Sequence, residues 1–434
     1  MNLACATVGV PVFAGMAAFS ATLCCCLPLD YVRIWLAMDA QAKIISELPR
    51  LQALRRELHS NPQLAYLETH ASALICSEMD RLSIPYQSGL AETGIVAWLV
   101  PDNPRRSSLP ATAFRADMDA LPICESTGLP YASRNEGVMH ACGHDGHTTI
   151  LLGLAAVLAP LRNHLPRPIK FIFQPAEEQE AGALRMIEAG ALSDQLGGVP
   201  IGRLFGFHNW PDLELGRFAI KRGAFFASAD LFRLVIEGRG GHGAMPHLSR
   251  DPILTAAHIV CALQSVVSRN LDPVRPGVIS VGSIHSGTAE NIIPSRAVVE
   301  GTIRAMDEQS RDLLHQRIAE VASGIAAGMG VRSETTLERG YPVLVNHPEC
   351  TEFLIEKGRR LLGEDRLKIL LDPVLGAEDF AFYGEHVPTA YFLFGLRGTG
   401  EETRPGLHTA EYDFNDDALG HVLRFITAFA LDGS

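Results

Sequence analysis

Six residues in this 434-residue chain could bind metal or move protons if the fold brings them together. Cys142 and His144 stand in "MHACGHDGH", and Glu177 and Glu178 are paired in "FIFQPAEEQEAG", just after a predicted strand. His208 in "GFHNWP" is expected at another strand end, and His408 in "PGLHTAEYDF" in a late loop. Gly or Pro lies near each of them, which suits tight turns at strand tips. Thiolate, imidazole and carboxylate form a borderline-soft donor set that suits Zn²⁺ first, with Mn²⁺, Co²⁺ or Ni²⁺ as alternatives. A single catalytic zinc uses about three protein ligands plus water. The larger set here fits two ions sharing a ligand and an activated water. A thiolate can bridge two ions, so Cys142 is the candidate bridge. A lone His or Cys is more often a core residue, and a Glu pair is more often solvated. Spacing alone therefore leaves the cluster open. No nucleophile elbow and no phosphate-cradling glycine loop accompanies it.

The elements that must position these residues are readable. "TGIVAWLV" (93–100), "ATAFRAD" (111–117), "PIKFIFQ" (168–174) and "RLFGFHNW" (203–210) read as strands. "HTTILLGLAAVLAPL" (147–161) and "EAGALRMIEAG" (180–190) read as helices. This alternation predicts an α/β layer with a largely parallel sheet, whose functional residues sit at strand carboxyl ends. From 224 to 338 the order changes to β-α-β-β-α-β, the ferredoxin-like split. Its strands are 229–238, 277–285, 297–306 and 331–338; its helices start after the caps Asp251 and Asp307. The fold class is thus α/β, a first domain in two parts (39–223 and 339–434, after the extension) with a small inserted domain (224–338); the resemblance given below makes these the catalytic and lid domains. A helix near 348–362, a strand at 389–395 and a helix near 415–430 complete the first domain. An amphipathic helix after Met38 is expected to turn Ile44, Ile45, Leu48, Leu51, Leu54 and Leu58 to one side.

Composition bounds the function. The chain is 47% hydrophobic and 20% charged, which excludes a disordered or low-complexity protein. It carries 37 Lys+Arg against 49 Asp+Glu, net −12, and no basic run. That balance argues against nucleic acid or anionic lipid as a partner. The nine cysteines lack regular spacing, which suits a reducing compartment and a cytoplasmic location. Residues 1–29 carry no charged side chain. They read as a membrane anchor, an export signal without its basic region, or an over-extended start ahead of Met38. Residues 1–38 are therefore set apart as an apolar extension, and contact with a membrane is expected only if 1–29 is a genuine anchor.

Eight ordered blocks carry a resemblance: "FRADMDALP" (114–122), "MHACGHDGHTTILLG" (139–153), "FQPAEEQEAGA" (173–183), "GFHNWP" (206–211), "GRGGHGAMPH" (238–247), "ENIIPSRA" (290–297), "GTIRAM" (301–306) and "GAEDFAFY" (376–383). Over about 43–430 the chain resembles the metal-dependent amidohydrolase branch of the carboxypeptidase G/aminoacylase superfamily. That branch includes hippurate hydrolases, N-acyl-amino-acid amidohydrolases and auxin-conjugate hydrolases. The resemblance implies a zinc-peptidase-like α/β domain with an inserted ferredoxin-like lid or dimerisation domain, and two divalent metal ions per subunit. It implies Cys142, His144, Glu178, His208 and His408 as ligands, with Glu177 as general base and Asp119 orienting a ligand. It also implies that His242, in "GGHG", stabilises the oxyanion.

Related peptidase branches have a histidine where this chain has Asp117, so a structural salt bridge is the competing reading there. Asn291 and Arg304 lie on or beside the lid strands. Arg304 is the candidate for binding a substrate α-carboxylate, a sheet-edge ion pair being its alternative. His140 and His147 are read as structural. The implied activity is hydrolysis of an N-acyl amino acid, a small-molecule substrate, to a carboxylic acid and an amino acid. A dipeptidase or exopeptidase, and a non-catalytic metal- or conjugate-binding protein, are the alternatives. Pairing into a homodimer or larger oligomer is expected through the lid.

Overall fold

The structure is a computed structural model that describes residues 29–432. The first elements are α1 (Leu29–Ser60), α2 (Thr69–Leu82), β1 (Tyr86–Leu90), β2 (Gly94–Leu99), the one-turn α3 (Pro104–Ser107) and β3 (Ala111–Asp117). Next come α4 (His144–Leu158), β4 (Ile169–Gln174), α5 (Gly182–Glu188), β5 (Ile201–Glu214) and β6 (Phe218–Ile220). Beyond β7 (Gly223–Phe226) lie β8 (Ala229–Glu237), β9 (Gly241–His242), α6 (Pro252–Arg269) and β10 (Gly277–Ser286). They are followed by β11 (Ile292–Ile293), β12 (Arg296–Ala305), α7 (Glu308–Gly328) and β13 (Arg332–Tyr341). The last are β14 (Leu344–Asn346), α8 (Pro348–Leu362), β15 (Leu367–Ile369), α9 (Ala381–Gly384), β16 (Thr389–Arg397) and α10 (Ala418–Ala430).

Eight strands form the main sheet in the order β1-β2-β4-β3-β5-β16-β6-β15. The central run β4-β3-β5-β16 is parallel, as is the β6–β15 pair. The pairs β1–β2, β2–β4 and β16–β6 are antiparallel. The sheet is therefore mixed rather than largely parallel. Alternation along the strands sends side chains to two faces. On one face Phe114, Ala116, Phe171, Phe173, Phe392 and Phe394 pack with residues of α1, α4, α8 and α10. On the other, Ala113, Ile172, Tyr391 and Leu393 pack with α5 and α9. All residues of α4 are buried, as its apolar sequence requires.

The helix expected after Met38 already begins at Leu29, and residues 1–28 of the proposed extension lie outside the described residues. Ile44, Leu51, Leu54 and Leu58 are buried as expected, but Ile45 is 56% exposed. Neighbouring helix residues point about 100° apart, so Ile44 and Ile45 cannot share a face.

The elements between β7 and β14 build a second sheet, antiparallel throughout, in the order β10-β12-β8-β13. Phe232, Leu234, Ile236, Val299 and Ile303 pack with Ile259, Leu263, Leu314 and Ile318 of α6 and α7 in a core of their own. Asp251 and Asp307 cap the two helices, accepting backbone N–H bonds within the first turns. Among the described residues, α6 alone is long and apolar enough to cross a membrane, and its buried face serves this core.

One buried ion cluster ties α1 to later segments. The Arg55 guanidinium is fully buried; its Nε donates to Asp416 at 2.7 Å, and its Nη1 lies 3.6 Å from Asp145 at the start of α4. Removing one partner of a buried pair strands the other's charge. Arg55→Ala is therefore expected to cost about 3–5 kcal/mol of stability. Urea unfolding of both chains measures this, and an unchanged midpoint would contradict it.

Candidate metal centre

The parallel strands end at one edge, and the candidate ligands collect there. β3 runs into Asp117 and Asp119, β4 into Glu177 and Glu178, and β16 leads towards the loop bearing His408. His208 does not end its strand: β5 continues to Glu214. The neighbouring β3 pairs with β5 only as far as Arg115 opposite Gly206, so His208 still lies level with the open edge. Cys142 and His144 flank the N-cap of α4. Gly143 makes this turn with φ +86°, in the left-handed region that favours glycine. A Cβ there would come within 2.4 Å of both Asn209 Nδ2 and Tyr412 Oη.

Cys142 is the common point. Its Sγ lies 3.4 Å from His208 Nε2 and 3.3 Å from His408 Nε2. His408 Nε2 lies 3.1 Å from Glu178 Oε1, and His144 Nε2 lies 3.9 Å from the same oxygen. Two trios result, Cys142–His144–His208 and Cys142–Glu178–His408, the donor atoms of each within 4.8 Å of one another. Glu177 also falls within that range of His144 and Glu178.

The hydrogen bonds decide which ring nitrogens are free. His208 Nδ1 faces the Asn209 carbonyl at 2.7 Å, an acceptor only, so Nδ1 carries the hydrogen and Nε2 presents a lone pair. His144 Nδ1 donates to the Asp119 carboxylate at 3.0 Å and to its carbonyl at 3.1 Å. The opposite nitrogen, His144 Nε2, is buried with no hydrogen-bond partner. Buried polar atoms are normally satisfied, and an orphaned ring nitrogen 3.9 Å from the Glu178 carboxylate is what a cation would complete. The donor set therefore fits a metal centre. His147 differs: Nδ1 donates to Asp117 at 2.6 Å and Nε2 accepts the Asn209 N–H at 3.0 Å. Both nitrogens are engaged, which agrees with a structural role.

Asp117 bonds the buried Arg115 at 2.5 Å as well as His147, the salt bridge offered as its competing reading. Asp119 orients His144 and also accepts the Glu178 N–H at 2.9 Å. His242, Asn291 and Arg304 are not brought to this centre. His242 is exposed, its Nδ1 accepting the Ala244 N–H at 3.1 Å. Asn291 lines the same surface cleft as His242. Arg304 is half-buried on β12 and donates to its own strand's Ile303 carbonyl at 3.2 Å.

Several functional neighbours were not singled out from sequence. Arg115 reaches Asp379 at 2.8 Å and Glu378 at 3.2 Å. Asp379 also accepts from Gln174 and from the Ala183 N–H, both at 2.8 Å. The block "GAEDFAFY" contained this acidic pair without revealing its partner, which lies far back in the chain. Asn209, one residue after His208, donates to the Cys142 carbonyl at 2.6 Å.

The electrostatics match the crowding. Burial and the nearby carboxylates of Glu178 and Glu177 push the Cys142 thiol well above its ordinary value. Burial, then Glu378, Glu178 and Asp379, push Glu177 well up. Burial opposes charge on His144, but Asp117, Asp119 and Glu178 outweigh it and raise that ring to about 10. Burial lowers His208 to about 4, leaving it neutral at pH 7. Glu178 falls despite burial, because His408 and His144 face it.

The loop carrying the two glutamates is strained. Ala176, Glu180 and Ala181 have φ of +56°, +66° and +52°. Such non-glycine positions cost about 1–3 kcal/mol each and cluster at functional sites.

A mixed α/β sheet with a thiol, imidazoles and carboxylates at its open edge defines a metallohydrolase scaffold. Residues 113–432 match the Peptidase family M20/M25/M40, and the chain belongs to that family. It is 38% identical over 358 residues to N-acetyl-L-cysteine deacetylase of Bacillus subtilis, covering 82% of each chain. It is 35% identical over 394 residues to hippurate hydrolase of Campylobacter jejuni, covering 91% of this chain and 99% of that one. The crystal structure of Bacillus subtilis YXEP, a dinuclear metal binding peptidase from the M20 family, matches with a TM-score of 0.76 at 33% identity. That match covers 89% of this chain and 98% of the other. The protein is accordingly a metal-dependent amidohydrolase.

Two outcomes follow from the geometry. At pH 7 the metal-free protein holds protons on Cys142 and His144, so metal loading must release them, and affinity must rise with pH. Titration calorimetry in buffers of different ionisation enthalpy reads this release; buffer-independent heats would contradict it. Gly143→Ala forces a Cβ against Asn209 and Tyr412. It is expected to lose most of the bound metal, as elemental analysis would show.

Proposed function

We propose that the protein hydrolyses the amide bond of N-acyl amino acids, hippurate-like or related acyl conjugates, releasing a carboxylic acid and a free amino acid. The observation that supports this most is the pair of ligand trios meeting at Cys142 with Glu177 beside them. Cys142, His144 and His208 hold one divalent ion; Cys142, Glu178 and His408 hold the other. The ions are Zn²⁺ or Mn²⁺, with Co²⁺ or Ni²⁺ as alternatives by donor type. When bound, they polarise the amide carbonyl and acidify the attacking water. Glu177 takes a proton from that water and passes it to the leaving nitrogen as the C–N bond breaks. Its neighbourhood of carboxylates favours the protonated form it needs for the second task. Asp119 keeps the His144 ring turned with Nε2 forward.

The inserted unit 224–338 is read as a ferredoxin-like lid between the catalytic segments 39–223 and 339–434. His242 stabilises the oxyanion and Asn291 contacts substrate once the lid swings in, because both are exposed and apart from the centre. Arg304 binds the substrate carboxylate from its half-buried strand position. The lid is also the proposed surface for pairing two copies. A cytoplasmic location fits the free thiols at Cys76, Cys124, Cys142, Cys261 and Cys350.

Glu177→Gln is expected to lower kcat by about a hundred- to ten-thousandfold while bound metal stays near the wild-type amount. A panel of hippurate, other N-acyl amino acids and free dipeptides, with metal content measured on the same samples, tests this. Equal loss of metal and turnover would make Glu177 a ligand. Turnover of dipeptides alone would favour an exopeptidase.

A further inference from the structure

The inserted unit joins the catalytic part through two neighbouring strands, and one residue at this neck reaches the base. Ala229, at the start of β8, pairs with Tyr341, at the end of β13. The Tyr341 hydroxyl donates to the backbone carbonyl of Glu177 at 2.6 Å. The Tyr341 ring meets Phe382 edge-on at 6.0 Å, beside the acidic pair Glu378–Asp379.

The direction of Tyr341 is fixed from the lid side. The register between β8 and β13 shifts between Arg339 and Tyr341, at Gly340. A Cβ on Gly340 would lie 2.3 Å from the Ala229 carbonyl oxygen, so the irregularity requires a residue without one. Asp230, fully buried, accepts the Gly340 N–H at 3.0 Å. It also accepts Arg311 at 2.5 and 2.8 Å and His315 at 2.7 Å, both from α7. A lid helix, a buried carboxylate and a strand irregularity thus aim one phenol at the peptide of Glu177.

The loop it meets depends on tethers. Glu68 accepts the Ala176 N–H at 3.0 Å, Asp119 accepts the Glu178 N–H at 2.9 Å, and Tyr66 donates to the Glu180 carbonyl at 3.0 Å. Those three come from the segment before β4; Tyr341 comes from the end of β13, the strand by which the chain leaves the second sheet. With Ala176, Glu180 and Ala181 all at positive φ, this backbone would relax if released.

We propose that Tyr341 is a positioning residue for the hydrolysis, holding the Glu177 peptide in register and transmitting the position of the inserted unit to the base. The inference rests on the functional reading above. Its content is that the hydroxyl, not the ring, governs the chemical step. Tyr341→Phe keeps the ring against Phe382 and removes only the donor. Its kcat on the best N-acyl amino acid of the panel should fall roughly ten- to a hundredfold, the penalty of a displaced reacting group. KM should stay within about twofold, and metal content and thermal midpoint should stay at wild-type values. Placed in a Glu177→Asp background, Tyr341→Phe should cost much less than in the wild type, because the two act through one group.

An unchanged kcat in Tyr341→Phe would overturn the inference alone. So would a fall in kcat matched by equal losses of metal and thermal midpoint, which marks a merely structural residue. Full additivity with Glu177→Asp would overturn it too. A wild-type protein that hydrolyses no N-acyl amino acid would overturn the functional reading, and this inference with it.

Discussion

Too many negative charges surround one buried space. Glu177, Glu178, Asp117, Asp119, Glu378 and Asp379 gather at the edge of the main sheet, with Arg115 as the buried guanidinium among them. Buried carboxylates survive only if paired, protonated or bound to cations. Without cations, protons take that part. Burial and acidic neighbours hold Glu177 and Asp379 well above the ordinary carboxylate range, and the thiol of Cys142 likewise. Divalent ions would change the balance, letting Cys142 deprotonate and completing the orphaned His144 Nε2. Arg115 pairs with Asp117, Glu378 and Asp379, so one positive charge is shared among three outer carboxylates. The inner pair, Glu177 and Glu178, is left for metal and proton chemistry.

The fold meets the same constraint with rigid supports. The buried helix α4 directs its N-terminus at the site, where its dipole favours the anionic form of the neighbouring thiol. Asn209 ties the Cys142 carbonyl, the His147 ring and the Tyr412 hydroxyl together. The backbone around Gly143 thereby has little freedom. His408 is the exposed member, on a loop at positive φ, anchored by its N–H to the Ala141 carbonyl at 2.9 Å. The centre is thus walled on the sheet side and open on the side of His408, where substrate could enter.

Much of this was legible in the chain. The strands at 111–117 and 168–174 stand out because apolar residues run through them, as burial on both faces demands. The second sheet was legible because its strands alternate and both its helices carry an Asp cap. The candidate ligands were legible as residue types beside turns, yet their convergence was not. Nothing local in the sequence reports that Cys142 lies against both His208 and His408. The short strands β1, β6 and β15 were missed, since "YQSGL", "FAI" and "LKI" are too brief or too polar to show a period. They pair through backbone bonds at the flanks, and these pairings help make the sheet mixed. Arg115 and Asp379 escaped for another reason: a buried salt bridge across 264 residues leaves no periodic trace.

The two cores explain why the neck matters. The four-stranded sheet buries its own apolar face against α6 and α7, in a core separate from those of the main sheet. A unit with a separate core can change orientation at little cost in burial, provided the neck allows it. At this neck, Asp230 holds Arg311 and the Gly340 N–H near the end of β13, while the Tyr341 hydroxyl bonds the Glu177 carbonyl. Rotation of the unit therefore cannot leave that loop untouched. The Tyr341 hydroxyl thus links the strand that leaves the second sheet to the backbone of Glu177.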